Sequence, residues 1–162
     1  MRRTQPGPGQ ESVWDYPRPP RVEPSNKRIR VVLNGETIAD STHTYRVLET
    51  SHPPAYYIPR EDVQMEKFTQ TSRRTICEFK GAATYFTIQV GDKVVANAAW
   101  SYENPTPRFE PIKDYIALYP GRMDACYVDE EQVQAQEGDF YGGWITSDIV
   151  GPFKGGPGTL GW

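Results

Sequence analysis

Glu49 and His52 are the two side chains in this sequence best suited to acid–base chemistry. They flank the Thr50-Ser51 step, and a histidine with a carboxylate nearby can act as a general base or as a pH sensor. The spacing assigns no serine or cysteine nucleophile to His52. The alternative is structural, because His52 precedes two prolines and the residue before a proline is restricted to extended or turn conformations. In that case His52 simply ends a strand.

Cys77 and Lys80 are a second candidate pair, at the end of a predicted strand. A nearby ammonium group favours the thiolate and so activates a cysteine. The alternative is a buried structural cysteine beside a solvated lysine. Asp124 is a further acidic candidate, although it precedes the acidic run 129–131 and can equally belong to a solvated edge. An enzyme built from these residues requires at least three of the five to meet within hydrogen-bond reach in one cleft.

The most informative element is a predicted hairpin over residues 83–90 and 93–100. Gly91-Asp92 between them is a two-residue turn with glycine at its first central position. The simple register pairs Ile88 with Val95, Phe86 with Asn97, Val90 with Lys93 and Ala83 with Trp100. One face is then bulky and aliphatic, and the other carries Tyr85, Thr87, Ala96, Ala98 and Trp100.

The second face predicts a pocket for a planar ligand. Ala96 and Ala98 form a floor of small side chains, while aromatic walls supply contact area and polar tips. The predicted ligand-binding residues are Tyr57, Lys80, Tyr85, Trp100 and Tyr102. The alternative is that another element, such as the segment around Trp14, fills this volume, since most aromatic clusters are core.

No motif in the sequence predicts a cofactor or a metal. Lys154-Gly155-Gly156 lacks the spacing of a phosphate-binding loop, and no dinucleotide fingerprint occurs. The two cysteines, Cys77 and Cys126, do not combine with His43 and His52 into a tetrahedral set at any recognised spacing. We therefore expect neither zinc nor any other cofactor.

Composition limits the classes of partner. The 18 basic and 21 acidic residues leave a net charge of −3, which provides no general field for nucleic acid or an anionic membrane. The first residues are polar and are followed by no apolar segment, so we expect neither secretion nor membrane spanning. Two reduced thiols and a cytoplasmic location are the corresponding expectations.

The chain divides into three parts by composition. Residues 1–27 are rich in proline and predict an extended arm that docks through Trp14 and Tyr16. Residues 28–137 carry short strands, among them a hairpin turning at Asn34-Gly35. Residues 138–162 contain eight glycines interleaved with aromatic residues. The predicted fold is mainly β, a single small domain of short antiparallel strands in coiled small sheets.

Several stretches together resemble the family catalogued as domain of unknown function 427, which also carries a nucleotidyltransferase-like name. They are YRVLETSHPP at 45–54, YYIPREDV at 56–63, CEFKG at 77–81, NAAWSY at 97–102 and PIKDYIA at 111–117. The resemblance implies a fold of the Mss4-like or β-tent type and a similarity to bacterial, often cyanobacterial, members. It implies no settled activity and no functional residues. Relatives of that fold hold zinc through paired Cys-x-x-Cys motifs, which this chain lacks.

Three hypotheses of function follow. The first is a module that binds a small molecule on the aromatic face of the hairpin. The second is a small enzyme using Glu49, His52, Cys77, Lys80 and Asp124. The third is an interaction or assembly protein whose two terminal segments embrace a second copy, as in a homodimer.

Overall fold

The computed structural model of the chain describes residues 2–138 and 140–162, and strands dominate it. Short 3-10 turns connect some of them, at Val13–Asp15, Arg60–Asp62, Met65–Lys67, Pro107–Ile112 and Pro120–Arg122. The strands are β1 (Glu11–Ser12), β2 (Arg21–Ser25), β3 (Ile29–Leu33), β4 (Glu36–Ser41), β5 (Thr44–Leu48), β6 (Ala55–Tyr57), β7 (Phe68–Cys77), β8 (Gly81–Val90), β9 (Lys93–Ser101), β10 (Ala117–Leu118), β11 (Ala125–Val128), β12 (Glu131–Gln132), β13 (Gln134–Ala135), β14 (Trp144–Ile145) and β15 (Ile149–Val150). The predicted mainly β fold of small antiparallel sheets is confirmed.

Three small sheets build the body of the domain, in the orders β10-β9-β8-β7, β12-β11-β3-β4 and β2-β5-β6. The hairpin β3–β4 turns at Asn34-Gly35 as predicted, with φ of 51° and 76° at these two residues. The 3-10 turn Met65–Lys67 directly precedes β7. None of the helices in the described residues has the length and apolar character needed to cross a membrane.

The hairpin β8–β9 turns at Gly91-Asp92 as predicted, but its register changes half-way along. Ile88 pairs with Val95 and Val90 with Lys93, whereas Phe86 pairs with Ala99 and Tyr85 with Trp100. The predicted pairs Phe86–Asn97 and Ala83–Trp100 are therefore wrong. A bulge centred on Asn97, whose φ is 49°, adds two residues to β9. Because two residues preserve the alternation of faces, Tyr85 and Trp100 still lie on the same side of the sheet.

Contacts of Asn97 hold this bulge in place. Its backbone N–H donates to Thr87 Oγ1 at 3.3 Å, its Oδ1 accepts from Thr71 Oγ1 at 2.7 Å, and its carbonyl accepts from Arg122 at 2.9 Å. Asparagine tolerates a positive φ better than other non-glycine residues. The bulge therefore has both a suitable residue and a fixed set of partners.

Replacing Asn97 with valine is expected to lower the free energy of unfolding by about 2 kcal/mol, since a β-branched residue is strained at positive φ. Asn97→Gly loses the same side-chain bond but tolerates the backbone conformation, so its loss should stay below about 1 kcal/mol. Urea unfolding of both variants measures the difference. Equal losses in the two variants would show that backbone conformation is not the cause.

The sheets enclose two clusters of buried side chains. The larger cluster is mostly aliphatic and includes Ile29, Leu33, Ile88 and Ala98. The second is aromatic and includes Tyr57, Tyr85, Trp100, Tyr102, Phe109 and Tyr119. Ala98 therefore belongs to the aliphatic core and Ala96 is exposed, so the predicted alanine floor beneath the aromatic face is wrong. The bulge at Asn97 directs the side chains of both alanines away from the aromatic face.

Both terminal segments pack on the body of the domain. Arg21–Ser25 pairs along β5, and β1 pairs in parallel with β15, joining Glu11 to Ile149 and Ser12 to Val150. Trp144 lies in the aliphatic core with 1% of its surface exposed. These contacts bring the glycine- and aromatic-rich segment against the aromatic cluster.

Candidate functional site

The aromatic cluster opens into a cavity of about 460 Å³. The inner wall is made by β6 and by the aromatic side chains of β8 and β9, and one side by the turn between β7 and β8. The opposite side consists of the loop after β5 and, from the C-terminal segment, residues 140–143, Lys154 and residues 160–162. A volume of this size accommodates a small molecule.

The cavity brings together most of the residues singled out from the sequence. Its walls include all of the predicted ligand-binding residues, Tyr57, Lys80, Tyr85, Trp100 and Tyr102. They also include three further members of the predicted enzyme set, Glu49, His52 and Cys77. Sequence reasoning treated these as two separate sites, and the fold places them around one space.

Asp124 lies elsewhere. Its carboxylate contacts Lys93 Nζ at 2.8 Å and accepts the backbone N–H of Gly35 at 3.3 Å. Lys93 lowers the pKa of Asp124 through this hydrogen bond. The residue therefore fastens the turn of one hairpin to the other, and the prediction that it belongs to a common pocket is wrong.

Trp14 does not fill the cavity. Its indole N–H donates to the carbonyl of Pro152 at 2.9 Å, and its ring packs edge-on against Trp162 with centroids 5.3 Å apart. Trp162 in turn is part of the cavity wall. The N-terminal arm therefore does not fill the space beside the aromatic face, as the alternative predicted. It contacts Trp162 and so supports the cavity wall from outside.

Trp100 is the centre of the inner wall. Its indole N–H donates to the hydroxyl oxygen of Tyr57 at 3.1 Å, a buried hydrogen bond. Its ring lies 4.6 Å from that of Tyr119, and the ring of Tyr57 lies 6.3 Å from that of Tyr102. Contacts of this kind fix the rings in place and leave a rigid apolar surface.

Four phenol groups surround this surface, and two of them have oxygen partners in the protein. The hydroxyl groups of Tyr85 and Thr75 are hydrogen-bonded at 2.9 Å, and Tyr119 donates to the carbonyl of Phe140 at 3.2 Å. Tyr57 accepts the proton of Trp100, but its own proton has no acceptor among the described residues, and Tyr102 makes no hydrogen bond there through its hydroxyl. Burial raises the pKa of Tyr57 and of Tyr102. Both therefore remain hydrogen-bond donors at neutral pH.

His52 is held in one orientation by its own loop. Its Nδ1 lies 3.0 Å from the carbonyl of Thr50, which can only accept, so Nδ1 carries the proton. Ser51 before it has a φ of 71°, and its N–H and carbonyl are both bonded, to Val13 and Lys154. Nε2 is therefore the unprotonated atom, and it makes no hydrogen bond with a described residue.

Burial and the charge of Glu49 act in opposite directions on the pKa of His52. Burial lowers its pKa, and the carboxylate of Glu49, 3.9 Å from Nδ1, partly opposes this effect. The separation is outside hydrogen-bond range. Among the described contacts no three of the predicted catalytic side chains meet within hydrogen-bond reach, so the condition set for the enzyme hypothesis is not met.

His52 is expected to titrate below the ordinary histidine value because burial disfavours the imidazolium. Glu49→Gln should lower the pKa of His52 further, since it removes the charge that favours protonation. The folded protein then binds a proton at His52 less readily than the unfolded chain does. The free energy of unfolding should therefore decline as the pH falls through the ordinary histidine range. The ring C–H signals of the two histidines give these values by NMR, with His43→Gln for assignment. A higher pKa in Glu49→Gln would contradict the account.

The turn between β7 and β8 places Cys77 and Lys80 at the rim. Cys77 pairs with Gly81 across the turn, and the ammonium of Lys80 lies 5.8 Å from the ring centre of Tyr102. Cys126, in contrast, is enclosed in the aliphatic core, where burial raises the pKa of its thiol. The accessible thiol in the described residues is therefore the one at the cavity.

Sequence reasoning missed the contribution of the C-terminal segment to the wall. Gly142 lies so close to Trp100 that a Cβ atom there would overlap the indole ring. Tyr141 contacts the ring of His52 edge-on at 4.8 Å, and Lys154 lies 5.3 Å above Tyr141. The glycine pair Gly142-Gly143 directly before Trp144 was the available signal, because adjacent glycines between aromatic residues permit close backbone approach.

No group of three or more histidine, cysteine, aspartate or glutamate side chains in the described parts of the chain is arranged to hold a metal ion. The site therefore consists of rings, hydroxyl groups, one imidazole, one thiol and a few charges. Fold and site together define a small mainly β protein with a preformed aromatic cavity. The chain belongs to the family described as domain of unknown function (DUF427), whose model, named NTP_transf_9, matches residues 21–129. None of the curated proteins matches the chain.

Proposed function

We propose that the protein binds a small planar molecule in the aromatic cavity. The observation that supports this most directly is that two phenol hydroxyl groups of the cavity wall, on Tyr57 and Tyr102, lack an acceptor among the described residues. A phenol proton without a protein acceptor is available to a bound ligand. A ligand with an acceptor atom would satisfy both donors, while its ring would pack on Trp100.

The enzyme hypothesis receives less support, because its side chains share the cavity without forming a connected set. Its best argument is that the lone pair on His52 Nε2 and the accessible thiol of Cys77 belong to the same cavity. A bound molecule would be needed to bridge these groups, so binding is the common requirement of both hypotheses.

Thermal-shift screening with planar metabolites tests the proposal. A ligand should raise the melting temperature of the native protein, and Trp100→Phe should weaken its binding about tenfold, because the smaller ring reduces contact area and the bond to Tyr57 is lost. Tyr56→Phe is the matched control, since Tyr56 is equally buried but packs in the aliphatic core. Absence of any stabilising compound, or equal losses in the two variants, would overturn the proposal.

A homodimer through the terminal segments remains a separate prediction. The mass of the full chain in solution, measured by light scattering, tests it. A homodimer would have twice the mass of one chain, and a monomeric mass at high protein concentration would reject the homodimer.

A further inference from the structure

Lys80 is a cation at the cavity without a matching carboxylate. Lys27, Lys67 and Lys93 each contact a carboxylate oxygen at 2.8–3.1 Å. Lys80 makes no such contact with a described residue, although it is half-buried and lies 5.8 and 6.0 Å from the ring centres of Tyr102 and Phe109. A partly desolvated ammonium without a counterion favours the binding of an anion.

The backbone around Lys80 is fixed. Its carbonyl accepts the N–H of Thr106 at 3.1 Å, and the hydroxyl of Thr106 donates to the carbonyl of Phe79 at 2.6 Å. Gly81 follows with a φ of 106°, which favours glycine. The side chain of Lys80 therefore starts from a defined position at the rim, and its reach is directed over the aromatic rings.

Other charges at the cavity do not neutralise Lys80. Glu49 is engaged by Arg18 at 3.5 Å, on the side of the cavity formed by the loop after β5. Glu78, on the same turn as Lys80, is exposed and makes no ion pair in the described residues. Lys154 adds a second positive charge above Tyr141. The cavity thus combines an apolar inner wall with an excess of positive groups and hydroxyl donors.

We propose that the ligand is a planar aromatic molecule bearing an anionic group, with its ring against Trp100 and its anion bound by Lys80 and the hydroxyl of Tyr102. This inference rests on the proposed function and adds the chemical class of the ligand. The hydroxyl of Tyr102 is available to donate to an anion because it makes no hydrogen bond with a described residue, and Tyr102 as a whole is only 6% exposed. The thiol of Cys77 takes no part in this contact.

Paired probes that differ only in charge test the class of ligand. We choose indole-3-acetate with indole-3-acetamide, benzoate with benzamide, and adenosine monophosphate with adenosine, each titrated by calorimetry against the full chain. At least one anion should bind ten times or more tightly than its neutral partner. The first two pairs identify a carboxylate and the third a phosphate as the preferred anion.

Variants of the turn locate the contact. Lys80→Gln should abolish the preference for the anion, Lys80→Arg should retain it, and Tyr102→Phe should reduce it severalfold. Lys113→Gln is the matched control, because Lys113 is exposed, outside the cavity walls and without an ion pair in the described residues. The melting temperature of each variant confirms that it is folded.

The outcomes separate the inference from the function on which it rests. If neutral and charged probes bind equally well, the anionic class is wrong while a binding cavity stands. If Lys80→Gln keeps the preference, the assignment of the anion to Lys80 is wrong. If no probe of either kind binds the native protein, the inference and the binding function both fail. An anion preference lost in Lys80→Gln and kept in Lys113→Gln supports both.

Discussion

Trp144→Ala is expected to lower the free energy of unfolding by about 3–5 kcal/mol, the range for removing a large aromatic side chain from a core. The indole is 1% exposed, its N–H donates to the carbonyl of Leu118 at 3.4 Å, and its ring lies 5.1 Å from that of Tyr56. Its backbone N–H also donates to the carbonyl of Pro54 at 2.8 Å. Urea unfolding followed by far-ultraviolet circular dichroism measures the effect without relying on tryptophan emission.

Trp162→Ala is the control for this prediction, because Trp162 is half-buried and packs mainly on Trp14. Its loss should be less than half that of Trp144→Ala. A loss below about 1 kcal/mol in Trp144→Ala would mean that the C-terminal segment folds independently of the aliphatic core, contrary to the packing described above.

Arg46→Met is expected to lower the free energy of unfolding by about 2–3 kcal/mol at neutral pH. The Arg46 side chain is 11% exposed and binds Glu11 at 2.9 Å and Glu23 at 3.0 Å. Removing one partner of a buried ion pair costs roughly 3–5 kcal/mol. The lower value applies here because the two carboxylates are 43% and 38% exposed and can be hydrated. The exposed pair Arg28–Asp40 is the control, and Arg28→Met should cost much less than Arg46→Met, because solvent screens an exposed ion pair.

The same pair should make stability depend on pH. The hydrogen bonds from Arg46 lower the pKa of Glu11 below its ordinary value. A carboxyl group with a lowered pKa stabilises the fold above its unfolded value, near 4.5, and loses that contribution as the pH falls. As the pH falls through this range, the free energy of unfolding should therefore decrease more steeply for the native protein than for Arg46→Met. Identical slopes would contradict the role assigned to Glu11.

Turn chemistry made much of the fold predictable. Asn34-Gly35 and Gly91-Asp92 require positive φ, which few residues tolerate, and both hairpins turn there. The bulge at Asn97 was not predictable, because one polar residue within the apolar run 94–100 does not by itself specify a bulge. Only the tertiary contacts of Asn97 with Thr71 and Arg122 select it.

The inner wall of the cavity could be predicted from the sequence, and the side formed by the C-terminal segment could not. Tyr85 and Trp100 remain on one side of the sheet because the bulge adds an even number of residues. The convergence of His52 and Cys77 on the same cavity depends on how separate sheets pack, which single-sequence patterns do not encode. The C-terminal segment has little hydrophobic periodicity, so the burial of Trp144 and the position of Gly142 against Trp100 could be found only from the fold.

The parallel pairing of β1 with β15 joins residues almost 140 positions apart in the sequence, Glu11 with Ile149. Closing so long a loop has a high entropic cost and is slow. Local hairpins such as β8–β9 form early in comparison. We therefore expect the aromatic inner wall of the cavity to stay exposed in the folding chain until the C-terminal segment packs over it. In transient partial opening, this cover should separate first, so that amide protons of residues 140–143 and 160–162, which form it, exchange with solvent faster than those of the central hairpin and solutes enter by that route.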